Sequence, residues 1–394
     1  MEPRMAEVSR QRSAPLSAKV DGNILHVLTE GPARLKALVD LIDGAHNSLR
    51  IVYYIFKDDE SGQRVRDALL AACERGVQVW ILIDGFGSEG VPDSFFQPLV
   101  DSRCHFCRFE PRWGRRYLLR NHQKLAIADG RCVVTGGFNI ANDYFGTVDD
   151  KAWRDLGLRI EGPGVACLVD YFDDLYAWAR LKHGRFRGLR RLLERHSQAD
   201  GKMRWLFGGP VARLSPWTRE VRLELTQARS VDMIAAYFAP NWGMLRRMAA
   251  IDRRGHARLI TAARSDNGAT IGAARHTYWR LLRRGVQIFE YRPTKLHTKL
   301  VIFDNAVFIG SANFDMRSLY LNLEVMVRIE DMAFARLMRR YFDGEAEHAD
   351  RITLVAHTRR RSLFARLRWA LCYFIVATMD YNVTRRLNFG MARD

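Results

Sequence analysis

The chain has 394 residues, enough for two hydrophobic cores because one core rarely grows beyond about 250–300 residues, and Lys plus Arg (62) outnumber Asp plus Glu (44) for a net charge of +18. That balance favours polyanionic partners, whether nucleic acid, anionic lipid headgroups or phosphorylated substrates, without choosing among them. Six cysteines scattered through so long a chain exclude a compact disulfide framework and leave reduced thiols as the expectation; Cys104 and Cys107 lack a second ligand pair, so no metal and no other cofactor is expected.

In chain order, the polar stretch Met1 to Lys19 carries Arg4, Arg10 and Arg12 without a following apolar run. It is neither a signal peptide nor an anchor, and residues 1–20 are expected to be a disordered leader. Residues 21–179 then read as helix (Arg34 to Ala45), strand (Leu49 to Phe56), helix (Gly62 to Arg75), buried strand (Gly76 to Asp84) and strand (His105 to Phe109). Residues 180–200 concentrate positive charge and read as a solvated linker helix or an anionic-membrane contact. Residues 201–350 repeat the first order: helix (Arg219 to Ala228), strand (Val231 to Phe238), helix (Gly243 to Arg254), strand (Ala257 to Thr261) and strand (Val286 to Tyr291). The implied fold class is α/β, two similar sheet-and-helix sandwiches related by a pseudo-twofold axis, with the active site at their interface.

Each half ends in a chemical motif. The first runs Asn121-His122-Gln123-Lys124 to Asp129, followed by Gly136-Gly137-Phe138-Asn139; the second runs Leu296-His297-Thr298-Lys299 to Asp304, followed by Gly310-Ser311-Ala312-Asn313. His and Lys two apart on a strand project from one face while their neighbours enter the core. Two such imidazoles at one phosphorus permit covalent catalysis, one attacking and the other protonating the leaving alcohol and deprotonating the incoming one. Lys124 and Lys299, with the amides of Asn139 and Asn313, are suited to hold the phosphate oxygens, and the glycines to let backbone approach them. A working histidine needs an acceptor on its other nitrogen, for which Asp155 and Glu324 are the candidates. Asp129 and Asp304 complete the candidate catalytic set, though at the ends of their strands they are expected to hold the turns.

The paired motifs resemble the signature of the phospholipase D superfamily. More narrowly, Tyr237-Phe238-Ala239-Pro240, the run from Gly310 to Ser318 into Asn322-Leu323-Glu324, Asp84 to Ser88 and Trp153-Arg154-Asp155 resemble bacterial cardiolipin synthases without N-terminal transmembrane helices. That resemblance spans residues 22–345. It implies phospholipid substrates, with two phosphatidylglycerol molecules joined into cardiolipin and glycerol released, and His122 as the attacking residue. It leaves open whether Asp266, Arg275 and Tyr278 shape the site of the second lipid.

The tail, residues 351–394, contains the apolar run Trp369 to Met379, too short to span a bilayer that needs about 20 residues. Flanking arginines (Arg359, Arg360, Arg361, Arg366, Arg368, Arg385, Arg386) suit a helix lying in an anionic membrane surface, against the alternative of a helix docked on the protein's own core. Peripheral residence on the cytoplasmic side of a bacterial inner membrane is the matching expectation. Nucleic acid is not an expected partner, since no recognition module is visible; a phospholipase D-type hydrolase and a nucleic-acid phosphodiesterase remain the alternative activities. Oligomeric state is not legible.

Overall fold

The computed structural model describes residues 16–110, 119–181, 186–211 and 214–379. The first half contributes strands β1 (Ser17–Val20), β2 (Asn23–Leu28), β3 (Ser48–Tyr53), β4 (Gln78–Asp84), β5 (His105–Phe109), β6 (Leu125–Ala128), β7 (Cys132–Gly136) and β8 (Gly157–Glu161). They form an eight-stranded sheet in the order β1-β2-β8-β7-β6-β3-β4-β5, parallel from β3 to β5 and antiparallel elsewhere. The second half contributes β9 (Met203–Gly208), β10 (Ser230–Ala235), β11 (Phe238–Ala239), β12 (His256–Ala262), β13 (Gln287–Tyr291), β14 (Lys299–Phe303), β15 (Ala306–Gly310), β16 (Phe314–Asp315), β17 (Glu324–Glu330) and β18 (Ala349–Ile352). Its large sheet runs β9-β17-β15-β14-β10-β12-β13-β18, the first order repeated strand for strand from β2 to β5. The copies differ at their edges, where β1 extends one sheet and β18 the opposite edge of the other.

Helices α1 (Gly31–Asp43), α2 (Glu60–Glu74), α3 (Asp93–Asp101) and α4 (Asn142–Phe145) cover the outer face of the first sheet. Helices α5 (Cys167–Arg180) and α6 (Phe186–His196) follow β8. On the second sheet, α7 (Pro216–Gln227), α8 (Trp242–Ile251) and α9 (Gly268–Leu282) cover the outer face. Ser215, Asn241 and Asn267 cap them by accepting first-turn N–H groups. Next come α10 (Met316–Tyr320), α11 (Met332–Glu347), α12 (Leu354–Arg360) and α13 (Leu363–Tyr373), the last continuing as a π-helical turn through Phe374–Met379.

Both faces of the central strands are covered, which is why they read as unbroken apolar runs. Leu300 and Ile302 of β14 enter a central core shared by the two halves, whereas Val301 and Phe303 enter the outer core under α7–α9. Among the described residues the expected two cores become three large ones and a small fourth under the tail, and the middle one, filled also by α5, α6 and α11, joins the halves. At about 1.5–3 kcal/mol per fully buried aliphatic side chain, this shared layer makes the halves one cooperative unit.

Four expectations are corrected. The end of the expected leader is β1, paired with β2; residues 1–15 lie outside the described residues. The basic linker contains α6, whose Leu189, Leu192 and Leu193 are buried at helical spacing in the central core, so it is a packed amphipathic helix rather than a solvated one; residues 182–185 lie outside the described residues. Cys73 and Cys104 are disulfide-bonded, because α2 ends beside the entry to β5 with the two Cα atoms 6.4 Å apart. Arg351 and Ile352 belong to β18, so the tail begins later than expected.

The tail docks on the protein's own core and leaves an apolar face uncovered. One side docks on α9, burying Trp369 and Tyr373, and the Tyr373 hydroxyl donates to the Pro240 carbonyl at 2.6 Å. The other side leaves Leu363, Phe364 and Leu367 exposed at 81%, 75% and 69%. Among the described residues no helix is long and apolar enough to cross a membrane; residues 380–394 lie outside them.

Candidate active site

The two motif segments enter the site by crossing to the opposite half. The His122 N–H donates to the Leu323 carbonyl at 2.9 Å, and the His297 N–H to the Arg154 carbonyl at 2.7 Å. Leu323 and Arg154 immediately precede the two candidate acids, so each backbone bond sets a histidine beside a carboxylate of the other half. His122 Nδ1 lies 3.1 Å from the Glu324 carboxylate, and His297 Nδ1 lies 2.6 Å from Asp155 Oδ2. Both carboxylates are fully buried. The Ser311 hydroxyl donates to Glu324, and the buried Arg34 guanidinium donates to the Asp155 carbonyl at 2.6 Å and the Tyr144 carbonyl at 2.7 Å. The Asn121 N–H donates to Asp84 Oδ2 at 2.7 Å, fixing the approach to His122.

With Nδ1 held on each ring, Nε2 remains for chemistry at a cavity of 760 Å³ lined by His122, His297, Asn139 and Asn313. The sequence places these four in two motif segments, one per half; the fold brings them to one space. Lys124 and Lys299 are buried just behind the histidines, where each Nζ donates to the carbonyl of its own motif histidine, at 2.6 Å for Lys124. Asn139 donates to the Tyr144 hydroxyl at 2.9 Å, and Asn313 Oδ1 has no hydrogen-bond partner among the described residues. The glycines serve a different contact from the expected one. A Cβ on Gly137 would collide with the Asp155 carboxylate, and one on Gly310 with the Val325 carbonyl, so both make room for protein rather than phosphate.

Burial dominates the electrostatics. It pushes His122 down to about 4 and His297 down to about 3, opposed by Glu324 and Asp155 and reinforced by the lysines. Both imidazoles are therefore neutral at pH 7, as a nitrogen nucleophile requires. Burial also lowers Lys124 to about 7 and Lys299 to about 8, with the two carboxylates holding them up. Desolvation alone would raise Asp155, but its hydrogen bond with His297 and the nearby Lys299 ammonium outweigh it and hold the carboxyl below its usual range. Two carboxylates against two ammoniums leave a balanced cluster, so a phosphodiester monoanion raises the affinity of the site for a proton. We expect kcat/KM, which reports the free enzyme, to fall as pH rises through about 7 to 8 with loss of the Lys124 and Lys299 protons, and kcat to fall at higher pH because bound phosphate retains them. A kcat/KM flat to about pH 9 would contradict this.

The fold adds residues that sequence reasoning did not assign to the wall. Tyr54 packs on His122 with ring centres 4.9 Å apart, and Tyr144 and Trp153 pack on His297 at 5.1 and 5.3 Å. Phe86, Arg120, Tyr237 and Arg317 also line the cavity. Of the three residues left open for a second lipid, Asp266 lines the cavity and accepts the Tyr237 hydroxyl at 2.6 Å. Arg275 is instead paired with Glu290 at 2.8 Å, and Tyr278 is buried against Thr261.

Asp129 and Asp304 are not brought into the site. Seven residue steps separate each from its motif histidine, roughly 23 Å if extended at about 3.3 Å per residue. Both adopt positive φ, 52° and 37°, in the turns after β6 and β14. Asp129 accepts the N–H groups of His46, Asn47 and Ser48 at 2.8–2.9 Å, and Asp304 accepts those of Arg229 and Ser230. Asp129→Ala is expected to destabilise the fold by about 2 kcal/mol while leaving the kcat of the folded fraction within about twofold, as read by denaturant titration and active-fraction kinetics. A large loss of kcat at unchanged stability would return Asp129 to the chemistry.

Residues 38–174 and 222–345 match the family model described as cardiolipin synthase, PLD-like domain. The chain is 31% identical over 340 residues to cardiolipin synthase A of Pseudomonas fluorescens, covering 84% of this chain and 70% of that protein. It is 29% identical over 358 residues to cardiolipin synthase 1 of Bacillus cereus, covering 84% and 68%. In fold it is similar to the crystal structure of phosphatidylserine synthase from Haemophilus influenzae, with a TM-score of 0.73 at 14% identity over 93% of this chain and 96% of that one. By the span of the family match and the extent of these relationships, the chain belongs to the cardiolipin synthase family of phospholipase D-like proteins.

Proposed function

We propose that this protein is a phosphatidyltransferase that makes cardiolipin from two phosphatidylglycerol molecules. The observation that carries the reading is the crosswise pair of buried His–carboxylate dyads opening on one cavity. In the first step His297 takes up a proton at Nε2 as the phosphodiester monoanion binds, His122 Nε2 attacks phosphorus, the P–O bond to the departing glycerol breaks, and His297 delivers that proton to the oxygen. In the second, a hydroxyl of another phosphatidylglycerol attacks, His297 takes its proton, and the P–N bond to His122 breaks. Lys124 and Lys299, whose ammoniums stand beside the dyads, together with Asn139 and Asn313, stabilise the charge that builds on the non-bridging oxygens.

The test is to incubate the purified protein with phosphatidylglycerol in mixed micelles containing EDTA and to resolve products by mass. Cardiolipin with glycerol is expected. Phosphatidate alone would make the protein a hydrolase, with water resolving the phosphohistidine, and complete loss in EDTA restored by metal would overturn the role given to the lysines.

An anionic membrane surface, on the cytoplasmic side of a bacterial inner membrane, is the proposed place of work. The exposed face of α13 supports it: Leu363, Phe364 and Leu367 lie among Arg359, Arg360, Arg366 and Arg368. Beyond it the chain reaches the active-site cavity, which Ile375 and Val376 help line, so acyl chains and reaction centre are neighbours. Replacing Leu363, Phe364 and Leu367 together by serine is expected to lower flotation with phosphatidylglycerol vesicles at least about tenfold at unchanged thermal stability, since these side chains are exposed. Undiminished flotation would remove the helix from the interface.

A further inference from the structure

A second cavity, of 1130 Å³, lies between α8 and α9. Its rim carries Arg246, Arg253, Arg280, Arg283 and Arg284, all exposed. None of these five has a carboxylate partner among the described residues, in contrast to Arg50, Arg258 and Arg328, which are paired with Asp173, Asp232 and Glu224. Five uncompensated guanidiniums around one hollow repel one another, and an anion with several acceptor oxygens relieves that repulsion.

The rest of the lining is apolar. Trp242 and Trp279 are half-buried in the walls, and Leu245 and Leu281 are buried behind them. Arg280 stacks over Trp242 at 4.0 Å and Arg283 over Trp279 at 4.7 Å, which orients cations at the mouth and leaves apolar surface within. An aromatic wall under a cationic rim suits a molecule with a phosphate at one end and hydrocarbon at the other.

Two contacts join this hollow to the tail. Arg361, between α12 and α13, also packs over Trp279, 4.7 Å from the ring centre, and the Tyr373 ring lies 5.1 Å from that of Trp242. The hollow is thus continuous with the helix whose far face exposes Leu363, Phe364 and Leu367. It is separate from the catalytic cavity, with which it shares no lining residue.

We propose that the α8–α9 hollow is a second anionic-phospholipid site, holding the headgroup phosphate of a bilayer lipid that is not being turned over, and that it works with α13 to seat the protein on an anionic membrane. The site adds an enclosed headgroup contact to those of the exposed arginines that flank the apolar face of α13. It rests on the lipid-substrate reading only for its purpose, because binding is measured without turnover.

The experiment uses the full chain carrying His122→Ala, so that no lipid is consumed. Partition onto phosphatidylglycerol–phosphatidylcholine vesicles is compared between this chain and one that also carries Arg246→Gln, Arg253→Gln and Arg284→Gln, which avoids the stacked arginines. At about fivefold per arginine near an anionic surface, the loss expected for three is about 100-fold, with unchanged melting temperature. The corresponding Arg→Lys triple is expected to recover most of the affinity, since it retains charge. Equal vesicle binding by the Gln triple overturns the site, as does a loss that Lys fails to restore, which would mean damaged packing. Full competition by soluble glycerophosphate at matched phosphate, or by a single-stranded RNA at low micromolar concentration, would assign the arginines to a soluble phosphate or to RNA and overturn the lipid assignment. Vesicle binding that survives while cardiolipin formation fails in the native chain would count against the proposed activity and leave this site standing.

Discussion

Chains carrying His122→Ala or His297→Ala are expected to form cardiolipin at least about 10⁴-fold more slowly than the native chain, because each substitution removes a group that makes or breaks a bond at phosphorus. The two losses should differ in kind. Without His122 no P–N bond can form, so transfer and hydrolysis fall to the residual rate of direct displacement and no modified peptide is found. Without His297 the glycerol oxygen departs unprotonated; a donor whose leaving group needs no proton, such as a p-nitrophenyl ester of phosphatidate, should still phosphatidylate His122 and then stall. Both imidazoles are neutral in the free site, so their charge states do not distinguish them, and peptide mass after incubation with that donor does. A phosphatidyl group on His297 in the His122→Ala chain would exchange their roles, and substantial cardiolipin from either variant would dismiss two-histidine catalysis.

Much of this site was legible because the repeat is written twice in the chain. His and Lys two apart, followed by a small-residue turn and Asn, recur in both halves, and the strands carrying them announce themselves by apolar runs covered on both faces. What the sequence cannot carry is the exchange between halves. Asp155 and Glu324 could be nominated as acceptors, but nothing within a few residues of His122 says that its partner is Glu324, since that choice is made by two backbone bonds formed only when the halves meet. Gly137 misled for the same reason: its empty Cβ position is occupied by a carboxylate distant in the chain rather than by ligand. The α6 helix was obscured by its arginines, although Leu189, Leu192 and Leu193 have the spacing of a buried stripe. The cysteine pair offered no local sign at all, because the approach of α2 to β5 follows from sheet order.

The crosswise pairing itself predicts a second large effect. Glu324→Gln and Asp155→Asn are each expected to reduce kcat by about 10²–10⁴-fold, because a neutral amide neither stabilises an imidazolium nor enforces the tautomer that leaves Nε2 free to react. Such a substitution also leaves Lys124 or Lys299 short of the carboxylate that helps keep it charged in a buried place, so the alkaline fall in kcat/KM should move to lower pH. The partnership is read by a double-mutant cycle, with residual transfer measured under single-turnover conditions. Adding Glu324→Gln to His122→Ala should cost little further, since the carboxylate acts on the reaction mainly through that ring, whereas adding Asp155→Asn should impose most of its own loss. The pattern inverts for His297, which should couple to Asp155 and not to Glu324. Coupling within halves, His122 with Asp155 and His297 with Glu324, would refute the exchange and with it the arrangement by which two copies of one motif become a single site.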